Sequence, residues 1–175
     1  MSSKIPERLT WAVRKLAPRP HDEVLEIGCG TGVMASLLCE RLRAGRLTAI
    51  DRSPAMVAAA RRRNRAHIAA GRVVIRRMAL TDADFDPGAF DRAMAVNVNL
   101  FWLHPTAELE VLRRVLRPRG VLCLVYQPPT ASQIKKIVGL CSGFLRAHGF
   151  AELRVDVEDL RPSPAVCITG RVHAA

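Results

Sequence analysis

Three glycines spaced two residues apart, directly after a short apolar segment, constrain this chain more than any other feature. Residues 24–27 read Val-Leu-Glu-Ile, and glycine occupies positions 28, 30 and 32. Glycine permits a tight turn and lets backbone N–H groups approach a ligand closely. The dinucleotide fingerprint GxGxxG would need its third glycine at Val33, and a P-loop would need a Gly-Lys-Ser/Thr ending. The segment therefore predicts a ligand-binding turn between a strand and a helix, counts against NAD or FAD, and excludes a P-loop.

Short apolar segments and amphipathic segments alternate along the chain. The former predict strands, and apolar residues at helical spacing predict helices. The last two strands are joined only by a Pro-containing connection, which favours an antiparallel pair. We therefore predict an α/β fold: an open, mostly parallel seven-stranded sheet with helices on both faces and a C-terminal antiparallel strand pair. The predicted strands are 23–27, 46–50, 73–75, 92–96, 121–125, 153–157 and 166–172, and the predicted helices are 4–17, 31–42, one from 53, one from 105 and 131–148.

The length of 175 residues is that of one domain. We expect residues 1–175 to form a single domain in which all ligand sites share one sheet. Residues 1–20 form an N-terminal helical segment that either closes over the site as a lid or covers the sheet. Residues 21–127 form the ligand-binding core, and residues 128–175 form a C-terminal helix and strand pair.

The net charge of +11 raises the question of a nucleic-acid partner. Clustered cations gain affinity for phosphate by releasing counterions. The densest arginine runs, 61–65 and 113–119, fall near the ends of predicted helices, where cations complement the helix dipole. This position favours a solvated role and a small-molecule substrate over a nucleic acid, which stays open as an alternative, as does the oligomeric state.

The five cysteines, at 29, 39, 123, 141 and 167, form no Cys-x-x-Cys pair and have no nearby histidine, so no metal site is predicted. The N-terminal residues carry charges and lack the apolar region of a signal peptide. No apolar run is long enough to span a bilayer. An odd number of cysteines in such a chain is typical of a reducing compartment. We therefore expect a cytoplasmic protein with no membrane partner.

An acidic residue follows the second predicted strand. Asp51 lies where a carboxylate in an open α/β sheet hydrogen-bonds ribose hydroxyls. Ser53 then begins a helix, with Pro54 in its first turn. The alternative is that Asp51 only caps this helix, although Ser53 suits that role as well. The ribose-binding interpretation is favoured.

Two segments, Glu26-Ile-Gly-Cys-Gly-Thr-Gly32 and Ala49-Ile-Asp-Arg-Ser-Pro-Ala-Met56, resemble the first two motifs of class I S-adenosylmethionine-dependent methyltransferases. The segments Gly88-Ala-Phe-Asp91 and Leu116-Arg-Pro-Arg-Gly120, each leading into a strand, extend the resemblance over residues 20–127. It implies a Rossmann-like fold, S-adenosyl-L-methionine as cofactor and S-adenosyl-L-homocysteine as product.

The resemblance also implies roles at single positions. The backbone of the glycine turn would pass the methionine part of the cofactor, with Glu26 beneath it, and Asp51 would hold both ribose hydroxyls. Where the family often has an adenine-binding acidic residue, this chain has Ala79, while Asp82 falls out of register. Adenine is then expected to be held by backbone and apolar contacts. The implied cofactor-binding residues are Glu26, Gly28, Cys29, Gly30, Gly32, Asp51, Arg52 and Met56 (both beside adenine), Ala79, Leu80 and Asn97.

Candidates for the acceptor side cluster after the fourth predicted strand, over residues 97–104. His104 is a candidate general base because imidazole exchanges protons near neutral pH. Asn97 is a candidate for contacting the methionine moiety or the substrate. Neither Asn/Asp-Pro-Pro-Tyr nor Pro-Cys follows that strand, which disfavours planar-amine and cytosine C5 methylation. The candidate substrate-facing residues are Trp11, Asn99, Trp102 and Tyr126.

These patterns favour a methyltransferase acting on a small molecule by in-line transfer that depends on proximity and orientation. A general base is needed only if the acceptor must lose a proton. One alternative is an RNA- or ribosome-directed methyltransferase, suggested by the arginine surplus. The other is a non-catalytic cofactor-binding partner subunit, suggested by the missing adenine-binding carboxylate.

Overall fold

Helices and strands alternate in the computed structural model, which describes residues 5–173. The helices are α1 (Glu7–Leu16), α2 (Val33–Arg41), α3 (Pro54–Arg63), α4 (Arg65–Ala69), α5 (Leu100–Leu103), α6 (Thr106–Val115) and α7 (Ser132–Ala147). The strands are β1 (Glu23–Ile27), β2 (Arg46–Asp51), β3 (Val73–Arg77), β4 (Phe90–Val96), β5 (Leu116–Tyr126), β6 (Phe150–Glu158) and β7 (Ala165–Val172). Within the described residues, no helix has the length and apolar character needed to cross a membrane.

The seven strands form one sheet in the order β3-β2-β1-β4-β5-β7-β6. Strands β1 to β5 are parallel, whereas β7 runs antiparallel to both β5 and β6. The predicted sheet and its C-terminal antiparallel pair are therefore confirmed. The order reverses at β1, because β2 and β3 lie on one side of it and β4 on the other. Open α/β sheets bind ligands at such a reversal, outside the carboxyl ends of the strands, and this is where the glycine turn lies.

Apolar side chains pack on both faces of the sheet. One face is covered by α1, α2 and α3, and the other by α5, α6 and α7. Trp11, Val13 and Leu16 of α1 are buried in the first layer. Lys15 lies 5.6 Å from the centre of the Trp11 ring and pairs with Asp156 of β6. Helix α1 therefore covers this face of the sheet.

Several element boundaries differ from the predicted ones. Lys4, in the predicted first helix, lies outside the described residues. Helix α2 begins at Val33 instead of residue 31, because Gly32 with φ +77° belongs to the turn. Strand β5 begins earlier than predicted, because Leu116 pairs with Phe90 ahead of a β-bulge. The short helices α4 and α5 were not predicted, since too few residues form them to show a periodic pattern.

Candidate active site

The glycine turn joins β1 to α2 at the carboxyl end of β1. Gly28, Gly30 and Gly32 have φ values of +71°, +53° and +77°, in the left-handed region where other side chains are strained. A Cβ atom on Gly28 would also lie 2.7 Å from Cγ2 of Val98. The N–H of Gly28 donates to the carbonyl of Ile50 in β2 at 2.9 Å. The backbone conformation therefore requires the three glycines and ties the turn to the neighbouring strand.

Asp51, the last residue of β2, joins two turns through its carboxylate. Its Oδ2 accepts a hydrogen bond from the N–H of Gly30 at 2.9 Å, and its Oδ1 accepts one from the N–H of Ser53 at 2.9 Å. Ser53 is itself the cap of α3, because its Oγ accepts from the N–H of Met56 at 3.3 Å. Helix capping therefore does not account for Asp51. The carboxylate lines a cavity beside the glycine turn.

Asn64 fixes the other side of the glycine turn. Its side chain is fully buried at the end of α3, and Nδ2 donates to the carbonyls of Gly32 and Ala60 at 2.9 and 3.0 Å. Its Oδ1 accepts from the Oγ of Ser36 in α2 at 2.8 Å. One side chain thus connects the turn, α2 and α3. The sequence gives no signal for this role, because Asn64 stands inside an arginine run.

Replacing Asn64 by alanine is expected to destabilise the protein by about 2 kcal/mol, because the three side-chain hydrogen bonds that join the turn, α2 and α3 are lost. Urea unfolding should show a lower midpoint with an unchanged slope. Ser36→Ala is the matched control, since it removes one of the Asn64 contacts and leaves the other two. A loss no larger than that of Ser36→Ala would contradict the connecting role of Asn64.

A cavity of about 700 Å³, here called the Asp51 cavity, lies beside β1, β2 and the turn after β3. Arg52, Ala79 and Leu80 line it, whereas Met56 is exposed and does not. Asp82 lines it as well. The N–H of Asp82 donates to the carbonyl of Ala79 at 3.2 Å, so the chain turns back there. Counting along the chain does not foresee this turn, which brings the Asp82 carboxylate to the same cavity as Ala79.

A second cavity of about 260 Å³, here called the Glu26 cavity, shares Gly28 with the first. Glu26 is 4% exposed, and its Oε2 has no hydrogen-bond partner among the described residues. Burial and, second, the charge of Asp51 raise the pKa of Glu26 to about 8. Burial and these two carboxyl groups raise the pKa of Cys29, which lines the same cavity, to about 12, so its thiol stays protonated. An unpartnered carboxyl oxygen at a cavity wall suits a cationic ligand group.

A third cavity of about 320 Å³, here called the Tyr126 cavity, lies between the ends of β4 and β5 and helix α7. Asn97 lines both this cavity and the Glu26 cavity, so the two cavities are neighbours at this residue. The N–H of Gln127 donates to Oδ1 of Asn97 at 2.9 Å, which leaves Nδ2 without a partner among residues 5–173. The Tyr126 hydroxyl donates to the carbonyl of Val98 at 2.9 Å, and burial raises the pKa of Tyr126 far above its usual value. Asn99, Trp102, Gln133 and Lys136 also line the cavity.

Five predicted site residues line none of these cavities: Gly30, Gly32, Met56, Trp11 and His104. Trp11 is 2% exposed and packs between α1 and the sheet, away from the cavity predicted to hold the substrate. An amphipathic helix turns its large apolar side chains toward the core. His104 is exposed and lines none of the three cavities, because the chain turns into α5 after β4. The predicted residues that line the cavities are Glu26, Gly28, Cys29, Asp51, Arg52, Ala79, Leu80, Asn97, Asn99, Trp102 and Tyr126.

Sequence reasoning missed two cations that helices bring to the site. Arg8 of α1 lines the Glu26 cavity, and Lys136 of α7 lines the Tyr126 cavity. Both lie on helices far along the chain from the glycine turn. Their only sequence signal is a polar position on an amphipathic helix, which is usually a solvated one.

The Asp51 cavity adjoins the Glu26 cavity at Gly28, and the Glu26 cavity adjoins the Tyr126 cavity at Asn97. The first two cavities together fit one elongated ligand, and the third fits a second molecule. Asp51 and Asp82 offer carboxylates to the hydroxyl and amino groups of an adenosine. The unpartnered oxygen of Glu26 offers an acceptor to the ammonium of an amino acid. The residues present therefore fit an adenosine joined to an amino acid, as in S-adenosylmethionine.

Comparison with known proteins agrees with this fit. A family model described as a methyltransferase domain matches residues 24–120. The methyltransferase YdaC of Bacillus subtilis is 25% identical over 173 residues, 94% of this chain and 91% of that protein. Trans-aconitate 2-methyltransferase of Escherichia coli is 36% identical over 131 residues, 67% of this chain. The match spans 45% of the length of that Escherichia coli relative.

A solved structure shows the same fold. Geranyl diphosphate C-methyltransferase from Streptomyces coelicolor A3(2) has a TM-score of 0.74 and 15% identity, covering 94% of this chain and 78% of that one. That structure contains S-adenosyl-L-homocysteine. The family match covers more than half of the chain and includes both the glycine turn and Asp51. The chain therefore belongs to the methyltransferase domain family, and it is an S-adenosylmethionine-dependent methyltransferase.

Proposed function

We propose that this methyltransferase acts on a small molecule bound in the Tyr126 cavity. The observation that carries the proposal is that Asn97 lines both this cavity and the Glu26 cavity. An acceptor there adjoins the methionine part of the cofactor. A volume of about 320 Å³ suits a metabolite site. When bound, S-adenosylmethionine supplies an activated methyl group on its sulfonium.

The side chains around the cavity suit orientation more than proton transfer. Among the described residues, no Asp, Glu, His or Cys lines it. Burial and the hydrogen bond to Val98 keep the Tyr126 hydroxyl protonated. Asn97 can donate from Nδ2 to an acceptor molecule, and proximity and orientation supply the rate enhancement. We therefore propose an acceptor atom that does not have to lose a proton to a side chain of the Tyr126 cavity.

The charge at the cavity favours an anionic acceptor. Lys136 is the cation among the described lining residues, and no carboxylate there opposes it. The amide side chains of Asn97, Asn99 and Gln133 supply further hydrogen-bond donors. The Escherichia coli relative is named for trans-aconitate and the Streptomyces structure contains geranyl diphosphate, both of which are anions. We propose a small anionic metabolite as the substrate.

Three arginines at the edge of the sheet away from the Tyr126 cavity weigh against an RNA substrate. Arg46 begins β2, Arg72 precedes β3, and Arg119 lies in the first half of β5, at the amino-terminal edge of the sheet. The Tyr126 cavity lies at the opposite, carboxyl edge. Arg61 is used internally, because its guanidinium donates to the carbonyl of Ile75. Phosphate contacts at the amino-terminal edge would not bring an RNA base to Asn97.

The test is transfer of labelled methyl groups from S-adenosylmethionine into a cell extract divided into anionic metabolites, other metabolites, and RNA with ribosomes. We expect label in the anionic metabolites. Label confined to the RNA fraction would favour a nucleic-acid-directed enzyme. The absence of product in every fraction would favour a non-catalytic partner subunit.

Replacing Lys136 by glutamine is expected to raise the KM for the identified acceptor by about three- to tenfold, because a charge-assisted hydrogen bond is lost. Cofactor affinity should not change. Lys135 is its exposed neighbour and does not line the cavity, so Lys135→Gln is the matched control. Steady-state kinetics of the two variants check the prediction, and equal KM values for both would contradict it.

We also infer that the protein works in the reducing cytoplasm. All five cysteines are free and buried. The sulfur atoms of Cys123 and Cys167 lie 3.4 Å apart on neighbouring strands and remain thiols. This supports a compartment in which thiols stay reduced.

A further inference from the structure

Arg8 is a charged residue at the site whose role the glycine turn and the Asp51 segment leave unexplained. It lies on α1, ahead of residue 24 where the family match begins, and it lines the Glu26 cavity. Its Nε is buried and has no hydrogen-bond partner among the described residues. A buried guanidinium nitrogen without a partner is costly, so its position at a cavity wall points to a ligand acceptor.

Gln127 holds one edge of the Arg8 guanidinium. Its Oε1 accepts from Nη1 of Arg8 at 3.4 Å. Its Nε2 donates to the carbonyls of Arg161 and Ser163 at 3.0 and 2.8 Å. These two bonds fix the amide so that its oxygen faces Arg8. The guanidinium is thus held in place while its Nε stays unpaired.

Arg8 carries a guanidinium and Glu26 carries a carboxyl group, and both residues line the Glu26 cavity. Within residues 5–173, no ion pair joins the two side chains. Each keeps a buried atom that bonds to nothing else in the described chain. An α-amino acid carries its ammonium and its carboxylate on one carbon atom. A cavity with a separated carboxyl group and guanidinium is complementary to that pair of charges.

We propose that Arg8 binds the carboxylate of the methionine moiety of the cofactor, opposite Glu26, which binds the ammonium. The planar guanidinium matches a carboxylate in geometry. The competing site for this carboxylate is the N-terminus of α2, which has no side-chain cap and no acidic residue in its first turn. The assignment rests on the same cofactor site as the proposed function but is independent of the acceptor.

The test is isothermal titration calorimetry with two ligands. One is S-adenosylhomocysteine, and the other is 5′-(3-aminopropylthio)-5′-deoxyadenosine, the same molecule without its carboxylate. The unsubstituted protein is expected to prefer the first by about tenfold or more, and Arg8→Met is expected to bind both equally. Arg14→Met is the matched control, because Arg14 lies on the exposed face of the same helix. It should keep the full preference.

Arg8→Lys separates carboxylate binding from packing, because lysine retains the charge and is expected to restore part of the preference. An Arg8→Met protein that still prefers the carboxylate-bearing ligand would overturn the proposal and leave the carboxylate at α2. Equal weakening of both ligands would also overturn it, because the effect would then come from packing of α1. If the unsubstituted protein bound neither ligand, the cofactor site itself would be refuted, a result distinct from failure of the Arg8 assignment alone.

Discussion

Replacing Asp51 by alanine is expected to lower the affinity for S-adenosylhomocysteine by about a hundredfold or more, because two charge-assisted hydrogen bonds to ribose hydroxyls are lost. The same change frees the N–H groups of Gly30 and Ser53, which the carboxylate holds at 2.9 Å. The glycine turn then loses the hydrogen bond between Gly30 and the last residue of β2. Thermal unfolding measures the effect, since a ligand that binds the native state raises stability by mass action. The unsubstituted protein should show a ligand-dependent shift and Asp51→Ala none.

The matched control is Asp86→Ala. Asp86 is exposed in the connection before β4, and its side chain makes no hydrogen bond among the described residues. 5′-Methylthioadenosine keeps the ribose and lacks the amino acid, so Asp51→Ala should lose this ligand too. Unfolding without ligand gives the separate contribution of the looser turn. Retained binding of S-adenosylhomocysteine by Asp51→Ala, or a response of the unsubstituted protein to NAD instead, would refute the ribose role.

The sequence predicts the centre of this site because the interactions there are local. Left-handed backbone at Gly28, Gly30 and Gly32 needs glycine, and this requirement is visible in the residue types alone. Asp51 ends a strand parallel to the one before the glycine turn. Parallel strands bring their carboxyl ends to one edge, so the sequence also predicts that these groups meet.

The walls of the site depend on packing between distant segments. Arg8 reaches the Glu26 cavity only because the apolar face of α1 packs on the sheet. Lys136 reaches the Tyr126 cavity in the same way through α7. Trp11, by contrast, does not reach a cavity. Burial of its large apolar side chain decides which face of α1 packs against the sheet. Hydrophobic periodicity predicts such a face but not the polar neighbours that it brings to a cavity.

The positions of residues in the turns that follow strands could not be predicted from the sequence either. Asp82 reaches the Asp51 cavity through one hydrogen-bonded turn that closes on Ala79. His104 is carried away from the acceptor side by the single-turn helix α5. Both positions are decided by a few backbone dihedral angles, which a search for motifs does not resolve.

Replacing Glu26 by glutamine is expected to stabilise the free protein and to weaken cofactor binding. Burial raises the pKa of Glu26 in the folded protein from 4.5 to about 8. Between these values the unfolded chain loses a proton that the folded protein keeps, so folding stability falls as pH rises from 4.5 to about 8. Glutamine cannot ionise. Urea unfolding at about pH 8 should therefore show Glu26→Gln to be more stable by about 1–2 kcal/mol, with little difference at about pH 5.

Cofactor binding should depend on pH in the opposite direction. The ammonium of S-adenosylhomocysteine binds the ionised carboxyl group, so affinity should rise by up to about tenfold per pH unit below the pKa of Glu26 and then level off. Calorimetry should show a shallower rise for Glu26→Gln, and a proton released on binding to the unsubstituted protein alone. 5′-Methylthioadenosine, which has no ammonium, should bind both proteins alike. A Glu26→Gln variant that is less stable at about pH 8, or that keeps the steep rise, would show that the buried carboxyl group has another partner. The predicted outcome instead means that this group, which destabilises the empty fold, is retained for the ligand.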